Sequence, residues 1–166
     1  MSAAQTLDPN AAESPTADRE VQFSRVFDAP RELVFDAFVD PRHVSSWWGP
    51  RGFITTTHEM DVRPGGVWRH TMRGPDGTDY PNYIVYTEVS RPERLAWDHG
   101  TVPGEPAAFQ ATATFDDLGD GRTRVTMRSV FPTAAARDYV VKEHDAIEGG
   151  KQTLERLAEH LASQGS

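Results

Sequence analysis

The chain has 166 residues, with 17 Lys and Arg against 25 Asp and Glu, for a net charge of −8. That length suits one domain with a sizeable core, and the acidic balance argues against nucleic acid and anionic membrane surfaces as partners. There are no cysteines, which removes disulfides, thiolate metal sites, iron–sulfur clusters and cysteine nucleophiles together and fits a cytoplasmic location.

Residues 1–19 are small and polar and lack the apolar groups that would offset ordering entropy, so they are expected to form a disordered tail, with the domain spanning 20–163. Residues 1–10 have neither the positive n-region nor the apolar h-region of a secretory signal. From Glu20 to Phe27 the pattern is strand-like, and Asp28-Ala29-Pro30 ends it. Asp28 is expected to cap the next helix, with Pro30 in its first turn. Leu33, Val34, Ala37 and Phe38 share one helical face. Asp40-Pro41 starts a second short helix through His43, Val44 and Trp47, which Gly49-Pro50 stops.

Six strand-like stretches follow, at 53–62, 67–73, 82–90, 94–98, 108–115 and 123–131. The first two are joined by the tight turn Pro64-Gly65-Gly66. In the second, Trp68, His70 and Met72 share one face, opposite Arg69 and Arg73, and the charges suggest that the first face looks inward. Pro132-Thr133 opens a long helix in which Val140, Ile147, Leu154 and Leu161 recur every seven residues, with Gly150 and Leu157 filling the offsets. Gly149 and Gly150 would each cost about 1 kcal/mol relative to Ala, so a kink or the close approach of another element is expected there. No apolar run approaches the roughly 18 residues needed to cross a bilayer. Strands in series without intervening helices imply an antiparallel sheet in an α+β domain. Its apolar face needs a cover, and the last helix is the only long amphipathic element. A curved seven-stranded sheet wrapped around the C-terminal helix follows.

Several motifs in order strengthen this reading. Phe27-Asp28-Ala29-Pro30 precedes Val34-Phe35. Trp47-Trp48-Gly49-Pro50 follows, then Asp61-Val62-Arg63-Pro64-Gly65-Gly66 and Arg91-Pro92-Glu93-Arg94-Leu95. Glu148-Gly149 and Leu154-Glu155-Arg156-Leu157 close the set. Together they resemble the START-like (Bet v 1-like, SRPBCC) helix-grip proteins, and within them the family of homologues of the Hsp90 ATPase activator. The resemblance implies a cavity between sheet and C-terminal helix that holds a small hydrophobic or amphipathic ligand, and the family name touches stress response. Many members carry Trp after the Glu-Gly of the last helix. Here that position is Gly150, and the missing indole is expected to enlarge the cavity. Eukaryotic activators carry a separate N-terminal domain. Here residues 1–19 stand in its place, so Hsp90 is not an expected partner, whereas a homodimer is common at this size.

The expected ligand-binding residues are Trp47, Trp48, Phe53, Trp68, His70, Tyr83, Tyr86, Trp97, Phe109 and Gly150, although aromatics are more often ordinary core. The six histidines are His43, His58, His70, His99, His144 and His160. None forms HExxH or another close ligand pair, and Glu143-His144-Asp145 reads as a solvated helix face. Neither a metal nor a cofactor is expected. His70 and Tyr83 are the weak candidates for catalysis, His70 because burial would keep it neutral and able to exchange a proton. There is no GxSxG serine and no phosphate-binding loop. Binding of a small apolar molecule is the leading reading. A cyclase- or hydrolase-type enzyme for an aromatic or polyketide-like substrate, using His70, Tyr83, Tyr86 or His144, is the second. A co-chaperone-like module with an exposed Trp47-Trp48 patch is the third.

Overall fold

Turn chemistry decides most of the topology. The computed structural model describes residues 16–143 and 146–164. Its elements are β1 (Glu20–Phe27), α1 (Arg31–Val39), α2 (Pro41–Trp47), β2 (Ile54–Met60), β3 (Val67–Arg73), β4 (Asp79–Ser90), β5 (Arg94–Gly100), β6 (Phe109–Gly119), β7 (Arg122–Val130), α3 (Ala134–Glu143) and α4 (Ala146–Gln164). The seven strands make one sheet in the order β1-β7-β6-β5-β4-β3-β2, antiparallel throughout. β2 to β7 form a meander of successive hairpins. β1 closes the far edge, with Glu20 opposite Val130 and Phe27 opposite Thr123. The α+β helix-grip architecture is as the sequence implies.

The turn after β2 shows why its two glycines are there. Gly65 has φ +83°, a left-handed backbone that glycine adopts without strain. A Cβ on Gly66 would collide with the Asp61 carbonyl. Two backbone bonds, Gly65 N–H to Tyr86 O at 2.8 Å and Tyr86 N–H to Gly66 O at 3.0 Å, then fasten the turn to β4.

Three local expectations need correction. Asp28 does not cap α1. Pro30 occupies the cap position with no side-chain bond, whereas Asp40 caps α2 by accepting the Arg42 N–H. Ala17–Arg19, assigned to the tail by composition, form a 3₁₀ turn. The Arg19 guanidinium donates to Phe131 O at 2.6 Å, and the Phe131 N–H bonds Arg19 O at 2.9 Å. The tail's residues 1–15 lie outside the described residues. Finally, the seven-residue stripe is buried only at Leu154, Leu157 and Leu161. Ile147 is 42% exposed and α3 buries no residue.

The core sits between the concave face of the sheet and the helices. Phe35, Phe38, Trp47, Ile84, Leu95, Phe115, Val125, Leu154 and Leu157 belong to its central cluster. Each such side chain contributes about 1.5–3 kcal/mol on burial. α1 packs on β6 and β7, α2 on β2, and α4 on β1 and α2. Trp68 and His70 are buried on β3 while Arg69 and Arg73 are exposed, so the inward face of that strand is the expected one.

Candidate functional site

Alternation along three neighbouring strands builds the site. On the concave face β3 presents Trp68 and His70. Asn82, opposite His70, stands beside Ile84 and Tyr86 on β4. Leu95, Trp97 and His99 follow on β5, with Trp97 opposite Tyr86 and His99 opposite Ile84. The Trp48 indole lies over them. Its ring centroid is 5.1 Å from that of Trp68 and 6.3 Å from those of His70 and Trp97. The void left between Phe38, Trp48, Trp68, Ile84, Tyr86, Leu95 and Trp97 is about 10 Å³, which is barely one water. The expected pre-formed cavity is therefore closed by its own aromatic lining.

His70 is the most unusual group in this interior. It is 1% exposed, stacks on Trp68 at 3.9 Å, and neither ring nitrogen has a hydrogen-bond partner. Burial, followed by the nearby His99 and His58, pushes its pKa down to about 3. The imidazole is thus neutral at physiological pH, with one N–H and one bare nitrogen both unmet.

His99 is placed differently. Its Nδ1 accepts the Trp97 indole N–H at 3.3 Å, so Nε2 carries the proton and donates to Asn82 Oδ1 at 2.8 Å. Its ring stacks on Phe109 at 4.5 Å, and burial pushes its pKa to about 4. Phe109 in turn meets Phe131 in a tilted contact at 4.9 Å, beside an open hollow of about 420 Å³.

The segment 48–53, which carries Trp48, is held to α4 by two arginines. Arg156 Nη1 donates to the carbonyls of Gly49 at 2.9 Å and Pro50 at 3.1 Å, and at 3.4 Å to those of Trp48 and Phe53. Its Nη2 donates to Ser46 O at 3.2 Å. Arg51 pairs with Glu155 and Glu159, and its backbone N–H donates to the Gln152 side chain at 3.2 Å.

The structure brings Trp48, Trp68, His70, Tyr86 and Trp97 together. Trp47 is ordinary core, fully buried against Phe38, with its N–H donated to Ala37 O at 3.0 Å. Phe53 lies at the rim, 6.0 Å from Tyr80. Tyr83 is opposite exposed Arg69 on β3 and so sits on the convex face, away from His70 and Tyr86. The space expected beside Gly150 is occupied, since a Cβ there would fall inside the Phe23 ring. His144 lies outside the described residues. Asn82, Phe38, Ile84, Leu95 and Arg156 were not among the site residues expected from the sequence. Period-two alternation from Trp68 and His70 across β4 would have found Asn82 and Ile84, whereas Arg156 enters only within the Leu154–Leu157 motif, with no role attached.

A hollow of about 740 Å³ is elsewhere. It lies between α1, α2 and the end of α4, where Leu33, Ala37, His43, His160 and Leu161 are among its walls. His43 Nδ1 and His160 Nε2 are 2.9 Å apart there. Among the described residues no three His, Asp or Glu side chains are grouped to hold a metal, and no helix is long and apolar enough to cross a membrane.

A curled antiparallel sheet gripping a C-terminal helix over an aromatic interior defines a START-like, helix-grip protein. The sequence profile of the Activator of Hsp90 ATPase homolog 1-like protein family matches residues 28–162, and the chain belongs to that family. Solved structures agree. A Nitrosomonas europaea protein is 25% identical with a TM-score of 0.81, over 90% of this chain and 97% of its own. A Mycobacterium smegmatis protein is 27% identical with a TM-score of 0.80, over 90% and 94%. An Arthrobacter aurescens protein is 25% identical with a TM-score of 0.81, over 91% and 90%. No curated protein matches the sequence.

Proposed function

We propose that the protein binds a small hydrophobic or amphipathic molecule between the sheet and the helices, with Trp48, Trp68, Tyr86 and Trp97 as walls and His70 as the polar contact. The observation that carries this reading is His70 itself, buried with both ring nitrogens unpartnered. A buried polar group left unmet costs about 1–3 kcal/mol, and native proteins retain few of them. A ligand hydroxyl or carbonyl would remove that cost. The helix-grip architecture, which commonly holds hydrophobic molecules, supports the same reading, and the small void means that side chains must move to make room.

Catalysis is less well supported. A general base works best with a pKa near the working pH, and His70 at about 3 is far from it. Tyr83 is on the wrong face to assist. The interaction-module reading loses its adhesive patch, because Trp47 is fully buried and Trp48 is 9% exposed.

Native mass spectrometry of protein purified from its own host should show a retained small molecule. Titration with 2-naphthol, an apolar probe with one hydroxyl, should quench tryptophan fluorescence saturably at one molecule per chain. No retained molecule and no saturable quenching below millimolar probe would refute the reading.

A further inference from the structure

The interior is full, yet one of its occupants is poorly secured. Three of the four indole N–H groups have acceptors. Trp47 donates to Ala37 O, Trp68 to Thr57 Oγ1, and Trp97 to His99 Nδ1. Among the described residues no protein acceptor meets the Trp48 indole N–H, which is not one of the buried unpartnered atoms and so reaches solvent. Trp48 is also the only one of the four outside a helix or strand, since α2 ends at Trp47 and β2 begins at Ile54.

The segment that carries it starts from two backbone ties, Trp48 N–H to Val44 O at 2.9 Å and the Thr55 hydroxyl to Trp48 O at 2.8 Å, and has glycine hinges beyond them. Gly49 and Gly52 have φ +102° and +89°, conformations that glycine enters and leaves cheaply. What holds the segment down on α4 is largely polar. Arg156 donates to a set of its carbonyls, and Arg51 pairs with exposed Glu155 and Glu159. Water can replace the exposed Arg51 pairs at little net cost and the Arg156 bonds at a larger but recoverable one. The buried core offers no such exchange.

We propose that the Trp48 indole is a resident plug in the ligand seat. Segment 48–53 swings away from α4 and carries the indole out. A flat aromatic molecule of about indole size, bearing one hydroxyl or carbonyl, takes its place. The proposal deepens the ligand-binding reading and rests on it. The seat dictates the ligand's shape, because Phe38, Trp68 and Trp97 surround the indole with ring centroids between 5.1 and 6.5 Å. The polar group follows from His70. Its ring stands edge to face with the indole at 6.3 Å and 85°, so an oxygen on the rim of a replacing ring comes within reach of the unmet imidazole. A hydroxyl serves whichever nitrogen faces it, donating to the bare one or accepting from the protonated one.

Two measurements on the unmutated sequence test this. Binding of 2-naphthol is compared with binding of naphthalene, which has the same ring system and no oxygen. The hydroxyl should tighten binding by about tenfold, and the preference should vanish in His70→Leu. The chain is then labelled with 5-fluorotryptophan, which gives one fluorine signal for each of the four indoles, assigned by single Trp→Phe changes. Saturation with 2-naphthol should give the Trp48 signal the H₂O-to-D₂O shift of an exposed indole and leave the other three buried. Binding with Trp48 still buried would overturn the plug while sparing the ligand-binding reading. Equal affinity for the two probes would overturn the His70 contact. Failure of both probes to bind would remove the ligand-binding reading and the plug with it.

Discussion

Trp47 and Trp48 are neighbours in sequence, and both lie in the core, but they are held in different ways. Trp47 ends a helix whose start is capped by Asp40. Its N–H is donated to Ala37 O, and its ring meets Phe38 edge to face at 4.7 Å. Trp48 begins a glycine-hinged segment. Its own backbone is tied to Val44 O at 2.9 Å and to the Thr55 hydroxyl at 2.8 Å. The rest of the segment is latched to α4 by Arg156 on the helix and by Arg51, which reaches Glu159 from the segment. One indole is fixed from within the core and the other from the surface. The core around Trp47 therefore carries stability, and the Trp48 side is where the molecule can open at low cost.

That contrast can be broken in four ways. The largest effect is expected from Trp47→Ala, which empties a fully enclosed site and strands the Ala37 carbonyl. It should cost about 3–5 kcal/mol in urea denaturation, and Trp48→Ala clearly less. Equal losses would erase the distinction.

Acid should loosen the Trp48 side. In the folded state the pKa of His70 lies at about 3 and that of His99 at about 4, and on unfolding both return toward about 6.5. Between about pH 6.5 and 4.5 the unfolded chain thus binds more protons, and stability falls as pH falls. His70 alone should supply roughly 2 kcal/mol of that loss. Denaturation of His70→Leu across this window should show a correspondingly shallower slope.

The two latch residues should separate next. Arg156→Met removes the donor shared by the segment's carbonyls and should cost about 1–2 kcal/mol, with faster amide exchange confined to residues 48–53. Arg51→Met breaks only exposed pairs and should cost distinctly less than Arg156→Met, an effect that disappears in high salt.

The smallest expected effect lies on the far side of the core. Gly150→Ala gains about 1 kcal/mol of helix propensity but drives a methyl into the Phe23 ring, at a cost of about 1–3 kcal/mol. The net loss should be near 1 kcal/mol, measured by thermal melting. In a Phe23→Ala background the same change should become stabilising, because the two residues are in contact and their effects are not additive.

Much of this was legible in the chain. β3 and the cap of α2 follow from residues adjacent in sequence, and the sheet order follows from turns between successive strands. The errors arise where distant elements meet. Gly150 does face the sheet, but the ring that fills its space comes from Phe23 on β1, which no helical periodicity can report. Tyr83 was grouped with Tyr86 by residue type, although three positions apart on a strand means opposite faces. Arg156 has Gln152 and His160 one turn away and no acidic partner in its bonds. Its acceptors are backbone carbonyls about a hundred positions earlier, and carbonyls leave no trace in composition.

The closure of the sheet also sets an order of assembly. β2 through β7 pair with strands next to them in the chain, so each hairpin can zip from its own turn. β1 has no such route, because Glu20 must find Val130 and Phe27 must find Thr123. Joining ends that far apart carries a chain-length penalty of about 4 kcal/mol, repaid only once the meander exists to receive the strand. The N-terminal strand should therefore dock last, and Phe23, which it carries, should be among the last rings to seat. Conservative substitutions in β1 should then speed unfolding and leave the refolding rate nearly unchanged.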